Sequence, residues 1–218
     1  MPSPQSPPFN EAIEEFQTFV SQRCQQGSFG ALPEQPETDC APPRYLPDPD
    51  REEFFRDVER LKRLLDVVLR PEDRHRVRLD AVHQSYTRVF STLLCIGRGA
   101  AITFFVNRPG FTDEHLPFTN RNSFPNTFSD ETFFDDFCKR QWMFCAPKLD
   151  FQEWWQWESE RILPVVYGEE LGRGGSAKTF LLKVHPGHNN LHREPRKVRG
   201  QRRHWRSNLS LAKLDIGW

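Results

Sequence analysis

Phe9, Ile13, Phe16 and Val20 recur at helical spacing, so a short helix is expected early in the chain, with Asn10 placed to cap it. Around it, residues 1–8 and 27–50 read as irregular, because ten of the 18 prolines fall in the first 50 residues. From residue 50 the pattern changes. Phe54, Val58, Leu61, Leu65 and Val68 form one apolar face, and Asp50 with Glu53 has capping-box spacing. Arg70-Pro71 ends that helix, and Pro71 suits the first position of the next. Val82, Tyr86, Val89 and Leu93 make a second stripe, ending near Gly97, and a short segment from Ala100 to Val106 stops at Pro109-Gly110. Two amphipathic helices with a brief connection predict an antiparallel helical hairpin. Residues 107–128 read as loop. Ser129 then caps a helix through Phe144, with Phe133, Phe134, Phe137, Gln141 and Phe144 near one face and Ala146-Pro147 as its stop. The cluster Trp154, Trp155 and Trp157 reads as packing between subdomains.

Beyond residue 161 the period shortens. Ile162–Tyr167 and Thr179–Val184 are β-rich runs flanking Leu171-Gly172-Arg173-Gly174-Gly175-Ser176, which predicts a strand, a glycine-rich turn and a second strand. Residues 192–218 show no regular period before Leu209, Leu211 and Leu214, and carry eight Lys or Arg against Glu194 and Asp215. The expected fold class is α+β. A Pro-rich segment (1–49) with one short helix precedes a helical domain (50–160), a β-hairpin (161–191) and a basic, poorly ordered tail (192–218).

Composition narrows the function. The 218 residues hold 30 basic and 30 acidic side chains, so the chain as a whole is not a polycationic nucleic-acid binder; only the basic tail offers such a patch. That tail reads as solvated, or as a nuclear-import or anion-binding patch. No apolar run approaches the roughly 20 residues a membrane helix needs, and the first residues lack the basic and apolar regions of a secretory signal. Cys24, Cys40, Cys95, Cys138 and Cys145 are scattered, with no CxxC pair. They are expected to be reduced, buried thiols in a cytoplasmic or nuclear protein. His185, His188 and His192 lack zinc spacing, and His185-Pro186-Gly187-His188 reads as a turn.

The glycine-rich turn carries the candidate chemistry. Glycines let backbone N–H groups approach phosphate oxygens without Cβ clashes. A Rossmann loop would lead into a helix, and no Gly-Lys-Ser/Thr of a Walker loop follows. A loop between two strands is the protein-kinase arrangement. The stretch from Ile162-Leu163-Pro164 through Glu170–Phe180 to Val184-His185-Pro186 and His188–Leu191 resembles the start of the kinase lobe in a group of fungal serine/threonine protein-kinase-like proteins. Tyr86–Phe90, Leu94–Gly97, Phe111–Phe118 and Gln141–Pro147 resemble the helical region those proteins carry before it.

The resemblance covers roughly residues 50–191. It implies that Leu171 roofs an adenine, and that Gly172, Gly174 and Ser176 belong to a loop over ATP phosphates. Ala177 stands where a third glycine is usual, and Thr179 where a valine usually packs on the adenine. A kinase also needs a strand-three lysine, a His-Arg-Asp loop and an Asp-Phe-Gly motif for Mg²⁺. His192-Arg193-Glu194 and Asp215-Ile216-Gly217 do not supply the last two. In Ala212-Lys213 the alanine and lysine adjoin, where one residue should separate them. The expectation is therefore a truncated, pseudokinase-like protein without catalytic residues, binding a protein partner or vestigial, with ATP and Mg²⁺ as cofactors only if a complete kinase domain exists. The alternative is the N-terminal part of an active ATP-dependent kinase.

Overall fold

The computed structural model describes residues 11–29, 42–106, 108–125, 132–150, 158–173, 177–190 and 211–217. Asn10, Cys40, Ser129, the three clustered tryptophans, Gly174, Ser176 and the arginine-rich run 192–206 lie outside them. The chain is α+β and mainly helical, and it divides into two units. One comprises residues up to Cys24 together with Leu46–Cys145; the other comprises Gln25–Tyr45 and Ala146–Trp218.

The helical unit opens with α1 (Glu11–Arg23), which buries Ala12, Phe16 and Val20. The long helix expected after residue 50 is instead two, α2 (Asp48–Arg56) and α3 (Val58–Val68). Asp57 leaves helical geometry at φ −77°, ψ 97°, and its carboxylate accepts from the N–H groups of Glu59 and Arg60 at 3.0 and 3.3 Å. A side-chain acceptor that satisfies the free donors of a new first turn outcompetes continuation of the old helix. Asp50 therefore sits inside α2, and the Asp50–Glu53 capping box does not form. Val58, counted with the apolar face, is 41% exposed at the start of α3.

The second stripe is broken in the same way. Pro71–Arg76 is a 3₁₀ turn, and Tyr86 (φ −135°, ψ 18°) separates α4 (Leu79–Ser85) from α5 (Thr87–Cys95). The expected two-helix hairpin is thus a run of four short helices. Gly97 takes φ 69° just past α5, the left-handed geometry that glycine adopts without a Cβ penalty. Beyond it come α6 (Ile102–Phe105) and α7 (Phe133–Gln141), the latter continued by a 3₁₀ turn at Trp142–Phe144. Leu61, Leu93, Ile102, Phe16, Phe90, Phe105 and Phe137 are fully buried. Phenylalanine is the mortar of this core: Phe105 stacks on Phe137 at 5.6 Å and Phe118 stacks on Phe137 at 5.7 Å.

The second unit is built from strands. β1 (Gln25–Gln26) pairs with β3 (Arg44–Tyr45), and β2 (Ser28–Phe29) pairs with β4 (Ile162–Leu163), both antiparallel, so that β2 and β3 fall within the 27–50 stretch expected to be irregular. A Cβ on Gly27 would lie 2.6 Å from the Leu163 carbonyl oxygen, so only glycine fits between these ribbons. An antiparallel sheet follows in the order β5 (Val165–Arg173), β6 (Ala177–Val184), β7 (Leu211–Gly217). Leu182 and Val184 are buried while Lys183 is exposed, the alternation of a strand with one covered face. The hairpin is as expected; the third strand is not. Residues 211–217 do not belong to an irregular tail, because every one of them pairs with β6.

Candidate functional site

The glycine-rich segment joins β5 to β6. Register pairs Glu170 with Phe180, Gly172 with Thr179 and Arg173 with Lys178. Leu171 falls at an irregularity between Glu170 and Gly172, and Val166 at a second one between Val165 and Tyr167. Extra residues of this kind increase local twist and bend an edge. Val166 and Tyr167 are both 53% exposed there. Gly172 is exposed, and an added Cβ would meet nothing within 4 Å. Neither packing nor a left-handed backbone demands glycine at that position.

Four of the six candidate nucleotide residues are thus placed on strands: Leu171 and Gly172 on β5, Ala177 and Thr179 on β6. Gly174 and Ser176 fall between them in the sequence, outside the described residues. Across β6, Thr179 pairs with Asp215 and Leu181 with Lys213. Cross-strand rows therefore run Gly172–Thr179–Asp215 and Glu169–Leu181–Lys213. Sequence reasoning offered Lys213 and Asp215 only as imperfect matches to motifs. Their placement beside the hairpin depends on pairing across more than 25 residues, which local periodicity does not register.

After β6, Pro186–His188 forms a 3₁₀ turn, as the sequence predicted. The His185 Nδ1 accepts from the Gly187 N–H at 3.2 Å. His188 is buried and its Nδ1 lies 3.0 Å from the Pro147 carbonyl oxygen, so that ring donates there. Tyr45 meets both rings edge-on, at 6.3 and 5.5 Å. These histidines are bound into packing, the arrangement expected of a structural turn.

The helical unit holds a second constellation, which draws together residues distant in the chain. Asp113 accepts from the N–H groups of Arg88 (2.9 Å) and Val89 (2.9 Å) and from the Thr87 hydroxyl (3.1 Å). It thereby caps α5 from a distant loop. Arg88 reaches Asp48 with its Nη2 at 2.6 Å, and Arg51 reaches the same carboxylate at 3.1 Å and also donates to the Thr87 hydroxyl. Asp48 and Arg51 are buried, at 3% and 8% exposure. The Gln141 side chain accepts from the Phe118 N–H at 2.8 Å and donates to its carbonyl at 3.0 Å. Residues 111–118 are therefore hydrogen-bonded both to Thr87–Val89 and to Gln141.

Burial opposes the charge of Arg88, but the nearby negative groups, the Asp48 carboxylate foremost and Asp113 after it, together outweigh it and hold the guanidinium above its usual pKa. Burial pushes the Asp113 carboxyl up from its ordinary value, against the pull of its backbone donors. Burial likewise raises the Cys95 and Cys138 thiols to about 11, so neither is an activated nucleophile at neutral pH. Buried carboxylates and guanidiniums that satisfy one another are architecture. Sequence reading placed Gln141 on an apolar face and gave Asp48 and Arg51 no role, because their partners lie from 23 to 40 residues away. Among the described residues no group of three or more His, Cys, Asp or Glu is arranged to hold a metal ion, and no helix is long and apolar enough to cross a membrane.

No family model, no curated protein and no solved structure matches this chain.

Proposed function

We propose that this chain is a protein-kinase-like protein that lacks phosphotransfer chemistry and acts as a protein-interaction module. The observation that carries the reading is the sheet: a glycine-rich turn between two antiparallel strands, extended by a third strand that bears Lys213 beside β6. That is the strand order with which a kinase small lobe begins, and it agrees with the resemblance of residues 162–191. The helical unit adds three of the four segments that resemble the region before the lobe, fastened together by Asp113 and Gln141. The chain holds no His-Arg-Asp loop and no Asp-Phe-Gly motif, so it has neither a positioned base nor Mg²⁺ ligands of that type. A partner protein is then the proposed ligand of the helical unit.

The test is transfer of labelled phosphate from ATP, with Mg²⁺ or Mn²⁺, to the purified full chain and to a basic protein acceptor. No incorporation above a protein-free control is expected. Incorporation that Gly172→Val abolishes would replace this reading with that of an active kinase. Gly172 suits the test, since a Cβ added there would meet no heavy atom within 4 Å.

A further inference from the structure

We draw no further inference here: the strongest candidate, the groove of about 420 Å³ that α1 forms with Phe54 of α2 and Arg60 of α3, is a cluster of acidic side chains whose Glu15 already holds Arg60 and Arg63 and whose Phe54 ring already carries the Arg60 guanidinium, and nothing in the structure shows what else would cover it.

Discussion

Asp113 sits where burial and hydrogen bonding pull in opposite directions, and burial prevails. Its folded-state pKa is raised, so the native state holds this proton more tightly than the unfolded chain does. The stability it contributes is present at low pH and is lost as pH rises from the ordinary carboxylate range through the raised value. Asp80, hydrogen-bonded to Arg78, and Glu158, hydrogen-bonded to Arg161, are shifted down and act with the opposite sign. A carboxyl NMR titration should therefore find Asp113 titrating above Asp80; the reverse order would refute this account of burial. Asp48 and Arg88 raise a second expectation. Breaking a buried ion pair outright costs about 3–5 kcal/mol, but Arg51 still holds Asp48 when Arg88 is removed. Arg88→Met should therefore cost less than that range, and the Asp48→Asn, Arg88→Met double variant should cost clearly less than the sum of the two singles, measured by urea denaturation. Additive losses would mean that the pair does not interact. Gln141→Leu should cost about 1–3 kcal/mol, because the Phe118 N–H loses its acceptor while the Phe118 carbonyl keeps only the Cys138 thiol.

Helix boundaries were legible only where the sequence terminates them by itself. Pro71 and the Ala146-Pro147 stop acted as read, and the apolar stripes lie on buried faces, from Phe54 and Leu61 to Leu93 and Phe137. The breaks at Asp57 and Tyr86 were not legible. Asp57 fills an ordinary polar position of an amphipathic pattern, and its capping role appears only when its carboxylate turns onto the Glu59 and Arg60 N–H groups. Asp57→Ala should then lower stability by about 0.5–2 kcal/mol. The measurement is thermal unfolding; an unchanged midpoint would mean that α2 and α3 are separated by packing alone. Gly99 is a contrasting case. A Cβ there would stand 2.7 Å from the Val68 Cγ1 and 3.1 Å from the Leu94 Cδ2. Gly99→Ala should destabilise by about 1–3 kcal/mol, whereas Gly172→Ala, with open space around it, should be near neutral.

For the molecule as a whole, the sequence foresaw the α+β class, the helical content and the glycine-rich hairpin. It did not foresee the third strand, because the alternation from Ala212 to Ile216 is short and its partner β6 lies far back in the chain. It also missed the short strands β1–β3, whose pairing partners include Ile162–Leu163, more than a hundred residues on. Lys213→Pro removes a backbone donor from β7. It should lower the hydrogen-exchange protection of β6 amides without affecting α5 or α7; unchanged protection in β6 would argue against the β6–β7 pairing. The central claim, that this sheet has the form of a kinase lobe's beginning without its chemistry, is met most directly by melting the full chain over a series of Mg-ATP concentrations. A ligand bound only by the native state raises the melting temperature in proportion to RT ln(1 + [L]/Kd). The account predicts no concentration-dependent rise. A graded rise that Gly172→Val eliminates would contradict it, and would make the turn a working nucleotide clamp.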